Sequence, residues 1–542
     1  MFVKLLFSIL IFFVPLSFAA TEPWAFFIFQ LITSFIFVYL LFVEKIFKFT
    51  LPAVLINIVF ILLIFVAGIQ IINHHSIIQK GNIIPFTVSP FNTLKELNCI
   101  FVYFMLFIFV NQMFYKSDKI KKILYLVTLS SVVVMFLGLC FPSGEYMKFF
   151  LGIESIGNFG PFTNRNNAGI FLSMSFFITL SLIIYNSLKY PKYLIENKKS
   201  KFLVIQTVNI IISLMLFISI IITRSRGAML STAISLIIFL FLYSYYFSKT
   251  IKQKILKITV LVLIILPVSF FVYKNIDNIN TFSQRTKGKS EQIRLNLYEM
   301  SVKILKDYPF TGIGFASFPI VTDKYLEEEL NAYPEYLHND WLELLLDVGY
   351  PIYTIFLLIV CALIFLLIKR IGFLSNKKKI LFIGLFSACC SVCIGSVVDF
   401  HFHIPAVAMI FVICLALLTS VSFYKEKKSI NFNNNLLSNL IFCLVILILM
   451  FFSFKNVLAW RYYTFSKNMP KQQETEYLDK AAKLSHNPRY IENYIITIYN
   501  NSLEKEEDDE RLYSLVYEYI KKYPYNKKIS KIFMKINDSF MN

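Results

Sequence analysis

Apolar runs of roughly 20 residues, the length of α-helix that crosses ~30 Å of hydrocarbon, recur from Met1 to about Phe454 of this 542-residue chain. Nothing else in the sequence constrains the fold as strongly. Inside hydrocarbon a backbone must satisfy its own N–H and C=O groups, which a helix does and an irregular chain does not. With 57% hydrophobic residues and 16% charged, the chain is too apolar for a soluble globular protein. The fold class that follows is all-α and polytopic, with about 12–13 transmembrane helices. The spans read as 3–19, 24–43, 51–72, 95–115, 120–141, 167–187, 203–223, 227–247, 256–273, 351–368, 379–397, 404–423 and 437–454.

A formal charge of +20 in a soluble chain points to nucleic acid, but the placement of the lysines argues otherwise. Lysine-rich connections at 44–48, 116–122, 189–201, 249–257, 369–379 and 425–428 fall at every second loop. By the positive-inside rule these face the cytoplasm. The alternate connections, and the tail after Phe454, then face outward. The basicity sets topology, and no nucleic-acid partner is required. The segment Met1 to Ala20 reads either as a first span or as a cleaved signal peptide ending in small residues, and both readings place Thr21 outside. All eight cysteines lie in apolar runs. Cys390 and Cys393 have redox-motif spacing but stand in mid-span, where packing is the simpler reading. No disulfide framework, metal or cofactor is expected.

The outward connections are unequal. The one at 274–350 is far longer than joining two helices requires, and such loops usually carry function. Within it, 290–306 has apolar residues at Ile293, Leu297, Met300 and Ile304, the period of an amphipathic helix, and Pro309 ends it. That helix lies on the membrane, folds back over the bundle, or is a plain surface helix. After Phe454 the chain turns charged and tyrosine-rich, giving a soluble domain at 455–542 that presents a surface for protein or glycan. The stretches 477–488 and 516–524 compare loosely, with Pro488 and Pro524 about 36 residues apart, near the tetratricopeptide period. A helical-hairpin domain is expected, with the acidic run 504–510 as a solvated connection.

Polar residues that stand out gather on the outward side: Asn164, Arg165, Asn166, Asn167, Arg224, Arg226, Arg294, His338, Asn339, Asp399, His401 and His403. The cations among them, histidines aside, are arginines, although lysine dominates the inner loops. A guanidinium is always charged and its planar fork matches phosphate oxygens in pairs. Arg224 and Arg226 end one apolar run and begin the next; they bind an anion or snorkel to lipid head groups. Arg294 sits on the amphipathic helix as a binding residue or a solvated charge. His338 precedes a helix whose N-terminal amides favour anions. It serves as a general base, a metal ligand or a structural residue, and a metal is disfavoured because no second histidine stands at helical spacing. Asp340 is the expected N-cap of that helix, which Gly349 and Pro351 end. Asp399, His401 and His403 orient a substrate or are ordinary interfacial groups. His74 and His75 read as structural.

At these residues the chain resembles the O-antigen ligase and polymerase superfamily, which includes lipopolysaccharide O-antigen ligases, polysaccharide polymerases and protein O-oligosaccharyltransferases. Four landmarks carry the likeness. They are Gly157-Asn158-Phe159-Gly160-Pro161-Phe162-Thr163-Asn164-Arg165-Asn166-Asn167-Ala168-Gly169; Thr223-Arg224-Ser225-Arg226-Gly227; the pair Pro309-Phe310-Thr311-Gly312-Ile313-Gly314-Phe315 and Leu337-His338-Asn339-Asp340; and Asp399-Phe400-His401-Phe402-His403-Ile404-Pro405. Their order, with the third pair in the long outward loop, makes the set specific. The resemblance implies a C-type glycosyltransferase-like membrane fold and a metal-independent, inverting transfer on the periplasmic face of a bacterial inner membrane. The donor would be a glycan on undecaprenyl diphosphate, and the acceptor a growing glycan, a lipid A-core or a protein. It implies that Arg224, Arg226, Arg294 and Arg165 hold the diphosphate and His338 assists the acceptor. Asn164, Asn339, Asp399, His401 and His403 support or orient. Related sequences often carry histidine where this chain has Asn167. The domains then read as N-terminal helices at 1–156, a ligase-like core at 157–423 that includes the outward loop 274–350, a last span at 424–454 and the soluble domain.

Two other classes compete. A lipid-linked glycan flippase also has many spans and binds an anion, but transporters usually place polar groups near the midplane in repeated, broken helices, and no repeat is visible. A scaffold presenting the tail explains neither the arginines nor His338.

Overall fold

The computed structural model describes residues 2–43, 46–76, 81–141, 146, 158–190, 199–248, 287–325, 334–423, 430–433, 435–505 and 510–541. The expected span at 256–273, Gly157 of the first landmark and the middle of the acidic run lie outside these residues. Among the described residues the chain is a helical membrane protein with eleven helices long and apolar enough to cross a bilayer, preceded by the shorter apolar helix Phe2–Leu16.

In chain order the helices are α1 (Phe2–Leu16), α2 (Pro23–Val43), α3 (Leu51–Ile72), α4 (Pro90–Met113), α5 (Ser117–Cys140), α6 (Arg165–Ser187), α7 (Lys199–Ile222) and α8 (Arg226–Phe247). Two helices of the long loop follow, α9 (Lys287–Asp307) and α10 (Phe318–Tyr325). Then come α11 (Asp340–Ile371), α12 (Asn376–Gly395), α13 (Pro405–Phe423), α14 (Leu436–Ser466) and four tail helices, α15 (Lys471–Ser485), α16 (Pro488–Lys505), α17 (Glu510–Lys522) and α18 (Lys527–Met541). The only regular strands among the described residues, β1 (Ile46–Phe49) and β2 (Ile430–Asn433), pair antiparallel.

Helix α6 is the centre of the bundle, packed by α5, α7, α8, α12 and α13, while α4 sits between α2, α3 and α13. The outer helices expose their apolar side chains, for example Leu358 and Phe365 of α11 and Leu447 and Phe451 of α14. That distribution suits lipid, which solvates leucine as well as a protein core does. Polar residues within the bundle pair across helices: Asn98 Nδ2 donates to Ser453 Oγ at 2.7 Å and Asn111 Nδ2 to Thr419 Oγ1 at 3.0 Å.

The two ends of the bundle differ. At one end the ribbon β1–β2 joins the connections at 46–49 and 430–433. Lys121 and Lys189 lie over the ring of Tyr185 there, and Arg370 Nε donates to the Ser422 carbonyl. This end holds the described parts of the lysine-rich connections at 44–48, 116–122, 189–201 and 369–379, while those at 249–257 and 425–428 lie outside the described residues. At the other end α6, α8, α11 and α13 begin, and the long loop folds onto them.

The loop has its own core. Leu297, Met300 and Ile304 of α9 are buried with Phe86, Tyr308, Ile313, Phe318, Leu337 and Leu346, whereas Ile293 is exposed. The expected amphipathic helix therefore folds over the bundle, and its first apolar position is not part of the buried face. The α11 helix is broken at Gly349, whose φ of 74° lies in the left-handed region where a Cβ is costly. A Cβ there would come within 2.5 Å of the Phe310 carbonyl oxygen. Ile313 N–H donates to the Leu346 carbonyl at 2.8 Å and Tyr350 N–H to that of Pro309 at 2.8 Å. The Pro309 to Phe315 landmark is thus the clasp that holds the segment 340–348 at an angle to the span that follows.

The last span does not stop at 454. Helix α14 continues to Ser466, 31 residues in all, or ~46 Å at 1.5 Å per residue, well beyond the hydrocarbon. It carries two helical hairpins, α15/α16 and α17/α18, whose core contains Leu478, Tyr494, Ile495, Val516, Tyr519 and Ile529. The tail is docked to the long loop. Arg489 donates to Glu335 at 2.7 Å, Lys527 N–H to Asp323 at 3.3 Å, and Lys324 lies over the rings of Tyr308, Tyr325 and Tyr525.

Candidate functional site

Residues from four distant stretches meet at the loop-bearing end of the bundle. Close backbone approaches bring them together. A Cβ on Gly169, in the first turns of α6, would meet Ala228 Cβ at 2.6 Å and Thr223 Oγ1 at 3.1 Å. A Cβ on Gly227 would meet Val398 at 3.1 Å, and one on Gly395 would meet the His401 ring at 3.0 Å. Glycine at 169 and 395 is therefore a condition of the site, since the first, second and fourth landmarks pack through these points.

The turn between α7 and α8 is three residues long. Arg224 adopts φ 53°, a left-handed conformation that costs a non-glycine residue roughly 1 kcal/mol or more. Its N–H donates to the Ile221 carbonyl at 2.9 Å, and Ser225 Oγ accepts from Ala228 N–H to cap α8. This tight turn leaves Arg224 and Arg226 exposed at the end of the bundle, and they lie within electrostatic reach of Arg165 at the start of α6. Asn164 does not extend toward a ligand: it is the N-cap of α6, accepting from Asn166 N–H at 2.8 Å.

Asp399 is the hub. Its Oδ1 accepts from His338 Nδ1 at 2.9 Å and from Phe400 N–H at 3.0 Å, while Oδ2 accepts from Asn166 Nδ2 and lies 3.9 Å from Arg294 Nη2. Its side chain is only 4% exposed. Burial alone would raise its carboxyl, but the hydrogen bond from His338, the neighbouring imidazoles and the Arg294 guanidinium hold it down at about 2. Asp399 is a fixed carboxylate. His338 and Arg294 are each about one-third exposed, so both reach solvent from this anchor.

His338 stands in a short strap, 334–339, held from several sides. Its φ is 58°, its carbonyl accepts from Tyr298 Oη at 3.1 Å, and Leu337 N–H donates to Glu343 Oε2 at 3.0 Å. Tyr298 follows Arg294 by four residues on α9, so one helix face supplies both contacts. Asn339, not Asp340, caps α11: its Oδ1 accepts from Leu342 N–H at 3.1 Å. The expected cap is wrong by one residue because Asp340 is drawn elsewhere, its Oδ2 accepting from His401 and Phe402 N–H at 2.8 and 3.0 Å.

His401 and His403 turn inward, away from solvent. His401 is buried, its Nδ1–H donates to Asn167 Oδ1 at 2.6 Å, and burial lowers it to about 4, so it is neutral. Asn167 is likewise buried and serves as its partner. His403 faces Glu96 Oε1, Asp340 Oδ1 and Glu343 Oε1 at 3.6, 3.6 and 3.5 Å. Glu96, Glu343, Tyr298 and Tyr336 belong to this assembly and were not among the expected residues. An acidic residue at position 96, next to Lys95 and inside an apolar run, was the available signal. His74 and His75 lie apart, with His75 Nε2 paired to Asn73 Oδ1 at 2.9 Å.

The site is thus a buried carboxylate that presents one imidazole and one guanidinium, beside three exposed arginines at one end of a membrane bundle. Its class is that of a polytopic membrane protein with a polar site at one end of its helical bundle. A family model described as O-antigen ligase matches residues 211–357, which span Arg224, Arg226, Arg294 and His338. This supports the O-antigen ligase and polymerase superfamily that the four landmarks resemble. No curated protein matches the chain.

Proposed function

We propose that the protein transfers a glycan from undecaprenyl diphosphate to an acceptor hydroxyl on the exported face of a bacterial inner membrane, as an O-antigen ligase or polysaccharide polymerase. The observation that carries this reading is the His338 Nδ1 to Asp399 Oδ1 hydrogen bond at 2.9 Å. An imidazole that donates Nδ1–H to a fixed carboxylate presents the lone pair of Nε2 outward, which is the arrangement of a general base.

In the proposed step the acceptor oxygen attacks the anomeric carbon opposite the diphosphate and passes its proton to His338 Nε2. The bond from that carbon to the phosphate oxygen breaks, and the electron pair leaves with undecaprenyl diphosphate. Attack from the opposite face inverts the anomeric centre. Arg165, Arg224, Arg226 and Arg294 bind the diphosphate and meet the charge that grows on it, Arg294 standing beside the carboxylate that holds the base. Their fixed charge and the starts of α6 and α8 at this end favour an anion, so the reading needs no metal. Asp399, Asn166 and Asn339 position these groups. Residues 157–423 form the catalytic core, 1–156 and 424–454 complete the membrane domain, and 455–542 form an exported tetratricopeptide-like domain that faces the acceptor. Gathering of the described lysine-rich connections at the opposite end supports this orientation.

Protein in nanodiscs, supplied with an undecaprenyl diphosphate-linked glycan and a panel of glycan, lipid A-core and protein acceptors, tests the reading. Expected are a new glycosidic bond and release of undecaprenyl diphosphate, with Arg224→Ala plus Arg226→Ala raising the donor KM at least tenfold. Movement of the lipid-linked glycan across the bilayer with no bond formed would replace the enzyme by a flippase.

A further inference from the structure

The strap that carries His338 is bent into a left-handed backbone conformation, so something outside it must determine its shape. The contacts converge on His403. Its ring touches carboxylates from two helices, Glu96 of α4 and Asp340 and Glu343 of α11, all at 3.5–3.6 Å. Asp340 Oδ1 is buried with no hydrogen-bond partner within ordinary distance among the described residues, and His403 Nε2 approaches it at 3.6 Å. The other oxygens of the same carboxylates hold backbone on both sides of the site: Glu343 Oε2 takes the N–H of Leu337, and Asp340 Oδ2 takes those of His401 and Phe402. The Tyr336 ring lies 4.6 Å from the His403 ring and 4.6 Å from that of Phe400, the neighbour of Asp399.

We propose that His403 is a positioning residue: as an imidazolium enclosed by Glu96, Asp340 and Glu343, it fixes the Tyr336 to Asn339 strap against the Asp399 turn and thereby sets His338 on its carboxylate. His403 does not touch the reacting groups. It acts through Tyr336 and through the two α11 carboxylates. A neutral residue in its place would leave three carboxyl groups facing one another in a buried space with no cation, so they take up protons or move apart, and the strap they hold loses its fixed geometry. The groups around it are Glu96, Lys95 and Cys99 on α4; Asp340, Glu343 and Asp347 on α11; and Tyr336 in the strap. Burial alone would lower the imidazole, but the Glu343, Glu96 and Asp340 charges outweigh it and raise His403, so it keeps its proton through neutral pH.

The proposal that the strap positions a base rests on the transferase reading, so the test has one readout independent of transfer. In the full-length protein, backbone hydrogen exchange is followed by mass spectrometry over 334–345 and, as a control, over α12. His403→Gln should speed exchange of the strap about tenfold, leave α12 unchanged, and lower kcat about tenfold with the donor KM unaltered. Adding Glu343→Gln, which keeps an acceptor for Leu337 N–H and removes one charge, should restore part of both. Unchanged strap exchange in His403→Gln, or equal loss of protection in α12, would overturn the proposal. If strap exchange responds as expected but the wild-type protein transfers no glycan, the positioning role stands and the transferase reading falls.

Discussion

Two histidines in this molecule, His338 and His403, meet carboxylates in opposite ways. His338 leans on one carboxylate and is about one-third exposed, with Arg294 close to the same carboxylate. His403 is enclosed by three carboxylates and is 14% exposed. One side chain has a ring nitrogen left for a substrate; the other has both ring nitrogens committed. The difference teaches that number of partners and access, not residue type, separate a group that can exchange a proton from one that holds the fold together.

The comparison yields four predictions, beginning with the largest effect. His338→Ala should reduce kcat for glycan transfer by a factor of ~10² or more, the range for loss of a general base, with normal protein level in the membrane; full transfer in cells would remove His338 from the chemistry. Next, Asp399→Asn keeps a partner for His338 but not the charge, and a fall in kcat of about tenfold to a hundredfold with little change in donor KM is expected. A third test addresses pH. Because the folded state raises His403 to about 10, above its ordinary value of 6.5, its contribution to stability is complete below pH 6.5 and disappears as pH rises through about 10. Thermal unfolding of the wild type between pH 7 and 10.5 should therefore show an alkaline loss that His403→Gln lacks; parallel curves would contradict the enclosed imidazolium. The smallest effect belongs to Arg489→Ala. Its ion pair with Glu335 is two-thirds exposed on both sides, so unfolding should shift by about 0.5 kcal/mol or less, and transfer should persist.

The membrane architecture was legible because apolar length is a local property. Twelve of the expected spans coincide with described helices, and the described lysine-rich connections sit together at one end. The four landmarks were also legible: the structure packs the first, second and fourth through Gly169, Gly227 and Gly395, and joins the third to the fourth through His338 and Asp340. What could not be read was which of their side chains turn inward. Asp340 and Asn339 are both good N-caps by residue type, and only the approach of the 401–402 backbone decides that Asp340 serves that turn. Glu96 lies some three hundred residues from His403 in sequence, and no local pattern links an acid in α4 to a histidine after α12. His401 and His403 looked equivalent as neighbours of Asp399, yet Asn167 neutralises the role of one and three carboxylates fix the other.

The continuous helix from Leu436 to Ser466 gives the tail a defined height and a defined heading. Each residue of such a helix adds 1.5 Å of rise and ~100° of rotation. The part beyond the hydrocarbon is thus a ruler and a compass for the hairpins it supports. A one-residue deletion between Lys455 and Ser466 would swing Arg489 a quarter-turn or more from Glu335, whereas removing a whole turn would mainly lower the hairpins by ~5 Å. Spacing in this stalk is therefore periodic in its consequences, and the reach of the tail over the His338 strap is set by a phase as well as by a length.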